Sequence, residues 1–316
     1  MMNIGIDAMG GDFAPLEALR GVKKYLEENT NEALRITLFG DADAIKKIIK
    51  EEHIPAASID IVATTQVIGM HEHPTRALKE KTDSSIAVGF QYLAKGKTDA
   101  FISAGNTGTM LVGALFSLKT IEGILRPVIS SIIPKQNGGT GLILDVGLNA
   151  DCKPEQLNQF ATLGTVYAKH VLEIENPKVG LINVGEEEGK GNILTQATYP
   201  LLKENKQLNF IGNIEGRDTF NGKADVMVCD GFTGNIILKL AESIYDISKT
   251  EAPDSPYLNR FNFEIYGGTP VLGVAHPVIV GHGISKATAF SNMIRVAEKM
   301  LKTEVLHKLK DAIQPR

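Results

Sequence analysis

Residues 99–118 read DAFISAGNTGTMLVGALFSL, and the order of their chemistry decides the fold class. Asp99–Ser103 is a short β-rich apolar run, Ala104-Gly105-Asn106-Thr107-Gly108 a glycine turn, and Thr107–Leu118 a helix-length apolar run. A strand that is apolar without alternation is covered on both faces, as in parallel sheets whose crossovers are helices. The pattern recurs along the chain. Further candidate strands lie at Asn3–Asp7, Arg35–Phe39, Ile59–Ala63, Val128–Ile133, Gly141–Val146, Lys178–Val184, Leu208–Ile214, Asp225–Asp230 and Pro277–Val280. Helical candidates include Pro15–Glu28, Asp43–Glu52, Pro154–Leu172 and Asn192–Lys203, with Lys286–Asp311 as one long terminal helix. Such alternation predicts an α/β fold, a three-layer α/β/α sandwich around a mostly parallel sheet. Residues 1–316 read as a single large α/β domain, with a loop or short hairpin inserted at 244–265.

Composition narrows the function. With 22% charged and 43% hydrophobic residues, the 316-residue chain has ample material for a core and is not disordered. Lys plus Arg at 33 against Asp plus Glu at 37, scattered rather than blocked, argues against a nucleic-acid partner. Cys152 and Cys229 are too few for a disulfide framework, and Met1 precedes no charged-then-apolar leader, so a cytoplasmic setting is expected. The longest apolar stretch, Met110–Phe116, falls far short of the roughly 20 residues a membrane span needs. There are 31 glycines, where average usage of about 7% predicts about 22.

Much of that surplus sits at strand ends. Gly231-Phe232-Thr233-Gly234-Asn235 follows the strand Asp225–Asp230, and Gly185 to Asn192, containing Lys190, follows Lys178–Val184. Each repeats the order strand, glycine loop, helix start. Glycine lets backbone approach a ligand, and free N–H groups at a helix start attract negative charge. Three such loops on one sheet point to a bound phosphate. The spacing Gly185 to Gly189 is too short for a Walker motif, and Gly191 stands where a magnesium-binding Ser or Thr belongs. Gly5 to Asp12 lacks the dinucleotide fingerprint, and Asp7 would face a pyrophosphate, so no nicotinamide cofactor is expected. Asp7, Asp12, Asp145 and Asn149 read as supporting turn and cap residues, with no tight carboxylate cluster for a metal. His71-Glu72-His73 lacks a spaced third ligand for zinc, and no Gly-x-Ser-x-Gly elbow is present. An enzyme of this kind takes its nucleophile from the substrate.

Ser248–Asn262 is a polar, proline-broken stretch beside Tyr257, Leu258, Phe261 and Phe263. Two readings stay open for that cluster: packing onto the domain or a second subunit, or an exposed apolar tip that touches membrane.

The ordered series Asp7-Ala8-Met9-Gly10-Gly11-Asp12, Ile102 to Gly108, Leu144-Asp145-Val146-Gly147 with Asn149, Asp151 to Glu155, Asn183-Val184-Gly185, Lys190-Gly191-Asn192, Asp230 to Asn235 and Tyr266-Gly267-Gly268 resembles the phosphate acyltransferase (PlsX) family of bacterial phospholipid synthesis. The resemblance runs in order from Ile4 to about His282. It implies a fold similar to phosphotransacetylases and isopropylmalate dehydrogenases. It also implies a homodimer that transfers a fatty acyl group from acyl carrier protein to inorganic phosphate. On that resemblance Lys190 and Asn235 are the catalytic residues, and no cofactor is required. Ser103, Gly105, Asn106, Thr107, Gly108, Gly231, Thr233 and Gly234 are expected to hold phosphate through N–H and hydroxyl groups. Helix N-capping is the structural alternative for Asn235. Lys23, Lys24, Lys46, Lys47 and Lys50 are candidates for docking the acidic carrier protein. The segment before Tyr266 is shorter than in the family, which bears on peripheral contact with the inner face of the membrane. A phosphotransacetylase using acyl-coenzyme A is the enzymatic alternative, and a non-catalytic carrier-protein scaffold the third.

Overall fold

A computed structural model of the chain describes residues 1–29 and 33–314. Strand β1 (Met2–Asp7), α1 (Leu16–Glu28), β2 (Leu34–Gly40), α2 (Ala42–Glu51), β3 (Ile59–Ala63), α3 (Pro74–Glu80), α4 (Ser85–Ala94), β4 (Ala100–Ser103) and α5 (Thr107–Ser117) form most of one unit. A second unit contains β5 (Val128–Pro134), β6 (Thr140–Leu144), α6 (Pro154–His170), β7 (Lys178–Ile182), α7 (Ile193–Glu204), β8 (Asn209–Ile214), β9 (Val226–Val228) and α8 (Gly231–Glu251). The chain returns to the first unit through β10 (Thr269–Leu272), β11 (Val278–Val280) and α9 (Ala287–Lys302), then ends in the second with α10 (Val305–Ile313). The first unit is Met1–Thr120 with Phe263–Lys302, and the second is Ile121–Asn262 with Thr303–Arg316.

Both units are α/β with mostly parallel sheets, the expected fold class. In the first the strand order is β3-β2-β1-β4-β11-β10, and only β10–β11 is antiparallel. In the second it is β5-β6-β9-β7-β8, and only β5–β6 is antiparallel. Every residue of β4 and of β9 is buried. Successive strand residues point to opposite faces, so both faces of these strands are covered. Parallel pairing also brings carboxyl ends together on one edge. In the first unit that edge carries Asp7–Gly11, Asp41, Ser103–Gly108 and Gly281–Gly283; in the second, Asp145–Asn149, Asn183–Asn192 and Asp230–Asn235.

Three local expectations change, and one open reading is decided. Strand β10 was not anticipated, because Thr269–Leu272 lies between Gly268 and Gly273 and contains Pro270, and only its pairing with β11 makes it a strand. Lys286–Asp311 is two helices: Glu304 turns with φ 50°, α9 packs on α1, and α10 packs on α6. The amphipathic pattern continues across the break, so periodicity alone cannot see it. Gly231–Asn235 is the first turn of α8 rather than a loop, because Asp230 already caps that helix. Finally, Phe261 is only 7% exposed. Its ring meets Phe220 and Tyr257 edge-on at centroid distances of 5.2 and 5.5 Å.

Polar contacts tie the same segment down. The Tyr257 hydroxyl donates to the Pro134 carbonyl at 3.3 Å, and Arg260 donates to the carbonyls of Lys135 and Gly139 at 2.8 and 2.6 Å. For Phe261, packing within its own unit is therefore the reading that holds. Truncating a buried aromatic leaves a cavity, so Phe261→Ser is expected to cost about 3 kcal/mol or more in urea unfolding. An unchanged midpoint would show that Phe261 is not part of the core.

Candidate active site

The second unit's edge is organised by a buried carboxylate. Asp145 has no exposed surface. Its Oδ1 accepts from the N–H groups of Gly147 and Leu148 at 3.1 Å each, and its Oδ2 from the N–H and the side-chain amide of Asn149 at 2.7 Å each. Burial raises its pKa while these donors pull it back down. Asn149 also donates to the Pro127 carbonyl at 2.9 Å. The first turn of α8 lies directly on this loop. Gly231 N–H donates to the Asn149 carbonyl at 2.7 Å, and a Cβ on Gly234 would overlap the Asp145 carbonyl oxygen. Only glycine permits that approach.

Asp230 caps α8, accepting from the Thr233 N–H at 2.8 Å and its hydroxyl at 2.9 Å. Asn235 is therefore not the cap. It lies one turn further on, exposed, and its amide donates to the Val146 carbonyl at 3.0 Å above Gly147, whose φ is +131°. The second amide N–H has no acceptor among the described residues.

Lys190 stands on the loop after β7, the strand next to β9. The Asn183 amide donates to its carbonyl at 3.0 Å, while its exposed ammonium has no acidic partner among the described residues. That is notable beside Glu186, Glu187 and Glu188. Glu186 is paired with Lys223 at 2.6 Å and Glu188 with Lys203 at 3.0 Å, so much of the local negative charge is already offset. Lys223 and Lys203 were not singled out in sequence, since nothing local links them to this loop.

A parallel arrangement occupies the first unit. Asp7, fully buried, accepts the Ser103 hydroxyl at 2.6 Å and the Met9 N–H at 3.0 Å, and Ser103 in turn accepts the Gly105 N–H at 2.9 Å. A Cβ on Gly10 would overlap the Asp7 carboxylate. Asn106 caps α5 by accepting the Thr109 N–H at 2.9 Å, and its amide donates to the carbonyls of Gly69, Met70 and Glu72 at 3.1, 3.0 and 3.0 Å. The 69–72 segment is thus clamped to the helix start, a contact invisible in sequence. Gly108 is required because Pro74 would strike any Cβ there. Asp12 is exposed, its N–H donating to the Gly283 carbonyl at 2.8 Å.

The hydroxyl and amide groups of Ser103, Asn106 and Thr233 thus bond inward. Of the N–H and hydroxyl groups expected to hold phosphate, the hydroxyls of Ser103 and Thr233 are instead engaged by Asp7 and Asp230. The N–H groups of Thr107 and Gly108 have no acceptor among the described residues, the usual condition of a helix's first turn and one suited to an anion. Cys152 is held near an Asn149 carbonyl at 3.4 Å, and burial pushes its thiol up to about 12, which removes it as a nucleophile. No group of three or more His, Cys, Asp or Glu side chains suited to a metal occurs among the described residues. No helix among them is long and apolar enough to cross a membrane.

The fold is that of the phosphotransacetylases. A phosphotransacetylase from Streptococcus pyogenes superposes with a TM-score of 0.69 at 16% identity, over 95% of this chain and 93% of its own. A second, from Staphylococcus aureus, gives 0.64 at 15% over 95% and 94%. The family described as "Fatty acid synthesis protein" matches residues 2–254. "Phosphate acyltransferase" of Dictyoglomus turgidum is 44% identical over 331 aligned positions, covering 99% of this chain and 98% of its own. The protein of that name from Thermoanaerobacterium thermosaccharolyticum is 44% identical over 99% and 97%. The chain belongs to this family of acyltransferases.

The buried aspartates have a measurable signature. Burial raises the Asp7 pKa above 3.8, so the folded chain binds that proton more readily than the unfolded one. The contribution of Asp7 to stability therefore falls as pH rises from 3.8 through its folded pKa. Relative to Asp7→Asn, the wild type should gain stability as pH is lowered from 7 toward 4, followed by denaturant midpoints. A pH-independent difference would place Asp7 in a solvated site.

Proposed function

We propose that the chain transfers a fatty acyl group from acyl carrier protein to inorganic phosphate, giving acyl phosphate for phospholipid synthesis, with Lys190 and Asn235 as its catalytic residues. The observation that carries this reading is the Lys190 ammonium, which has no acidic partner among the described residues although Glu186 and Glu188 nearby are engaged by other lysines. Phosphate is already a nucleophile, so no enzyme-bound acyl intermediate is needed. A phosphate oxygen attacks the thioester carbonyl carbon, the tetrahedral oxyanion collapses, and the carrier leaves as thiolate. The protein's work is to hold an anion and offset the charge that develops. Lys190 suits the second task as a mobile point charge, and the unused Asn235 N–H as an oxyanion donor.

The start of α5 supplies unengaged N–H groups suited to an anion, from Thr107 and Gly108, whereas the N–H groups of Gly105, Gly231, Thr233 and Gly234 already bond within the protein. Ser103, Asn106, Asp7, Asp12, Asp145 and Asn149 hold those turns in place. A phosphotransacetylase activity on acyl-coenzyme A is the second reading, favoured by the shared fold. Assaying acyl-phosphate formation from carrier-protein and coenzyme A thioesters side by side separates the two.

Losing one oxyanion donor costs about 100- to 1000-fold in rate, so Lys190→Ala and Asn235→Ala should each lose turnover on that scale with circular dichroism unchanged. Near-wild-type rates in both would overturn the assignment. We also infer a cytoplasmic homodimer with peripheral membrane contact. Phe232, Ile236, Leu240 and Ile247 on α8 are 66%, 53%, 65% and 60% exposed, which supports a covered apolar stripe. Leu240→Lys combined with Ile247→Lys should yield monomers in sedimentation and abolish vesicle flotation; an unchanged sedimentation coefficient and unchanged flotation would remove that stripe from both roles.

A further inference from the structure

Lys190 sits in a stretch without regular structure: no residue between β7 and α7 belongs to a helix or strand. A long side chain on such a loop is placed only as well as the backbone beneath it. Its stem runs over Gly185, where an added Cβ would meet the Lys190 Cγ at 3.1 Å. Two contacts from outside the loop fix that backbone.

The first comes from β8. The Glu187 carbonyl accepts both the Lys190 N–H at 3.1 Å and the side-chain amide of Asn213 at 2.8 Å. Asn213 is buried, and its Oδ1 has no hydrogen-bond partner among the described residues. A β-bulge aims this side chain. Val179 pairs with Phe210 but Leu181 pairs with Asn213, one residue late, and Gly212 takes up the irregularity at φ +95°. In an unbroken register Gly212, which has no side chain, would stand opposite Leu181. Bulges next to active sites re-aim a side chain in this way.

The second comes from the turn after β8. Lys223 donates to Glu186 at 2.6 Å and to Asp218 at 3.1 Å. Asp218 is buried and also accepts from the Glu215 N–H at 3.0 Å and the Asn221 amide at 2.8 Å, so this end of the bridge is anchored. The Lys203–Glu188 pair is different, with side chains 59% and 58% exposed. Solvent and side-chain entropy leave such pairs little holding power.

We propose that Asn213 is a positioning residue for Lys190, and that Lys223 holds the same loop at Glu186. This rests on the function proposed above. It adds that the Lys190 ammonium meets the developing charge only while these two tethers fix the loop.

Acyl-phosphate formation is measured with the full chain at varied phosphate and acyl carrier protein. Asn213→Leu keeps the volume and removes the donor; it should lower kcat about tenfold or more, since misplacement by about 1 Å can cost about 100-fold. Lys223→Met should lower kcat about fivefold, less because the Glu186 side chain is 55% exposed. In both, KM for each substrate should stay within about twofold of wild type, the pattern of an interaction made only in the transition state. Lys223→Arg, which still reaches both carboxylates, and Lys203→Met should keep kcat within about twofold of wild type. Coupling is the readout that a merely structural role would not move. In a Lys190→Ala background, Asn213→Leu and Lys223→Met should each cost less than about twofold further. Losses as large there as in the wild-type background overturn the proposal, as does an unchanged kcat in both single variants. If Asn213→Leu fails to fold, the Lys223→Met pair of measurements decides alone. Each of these outcomes leaves Lys190 as the catalytic residue, whereas Lys190→Ala at the wild-type rate overturns both readings.

Discussion

Asp145 and Asp7 are buried hydrogen-bond acceptors that the protein supplies to its own loops. Each sits at the carboxyl end of a central strand with no solvent exposure, and each draws the N–H or O–H groups of neighbouring turns onto itself. An ionised carboxylate in such a place is tolerated only because several donors meet it, and losing them would leave a buried charge unpaired. With the donors in place, the turns that follow β1, β4 and β6 have defined shapes. The positions of Asn149, of the first turn of α8 and of the first turn of α5 follow from these two side chains.

The glycines are the complement of that constraint. Gly10 and Gly234 lie where backbone or carboxylate occupies the space a Cβ would need, and Gly147 takes a φ of +131° beneath Asn235. Their surplus is therefore divided between making room inside the turns and exposing backbone outside them. Side chains that look like ligands, Ser103, Asn106 and Thr233, serve the inside. Charges follow the same division: Lys203 and Lys223 engage Glu188 and Glu186 of the β7 loop, and Lys190 is exposed with no acidic partner among the described residues.

Much of this was legible before any coordinates. Apolar strands in alternation with helices specify an α/β fold because parallel strands need helical crossovers and cover on both faces. The strand-end glycines were visible as a group because parallel strands share one carboxyl edge, whereas Lys190 and Asn235 were singled out by the family resemblance. Phe261 was not decidable, since an aromatic beside prolines reads equally as a membrane tip or as core until Phe220 is seen against it.

By itself, the sequence determined the fold class, the family and the identity of the residues offered to the chemistry, since periodicity and short motifs are local properties. Tertiary structure decided what those residues do. It turned Ser103 and Asn106 inward, made Gly231–Asn235 a helix turn capped by Asp230, split the terminal helix at Glu304 and left Lys190 without an acidic partner among the described residues. The physical reason is that a hydrogen bond or an ion pair belongs to two groups, and the second is seldom a neighbour in sequence.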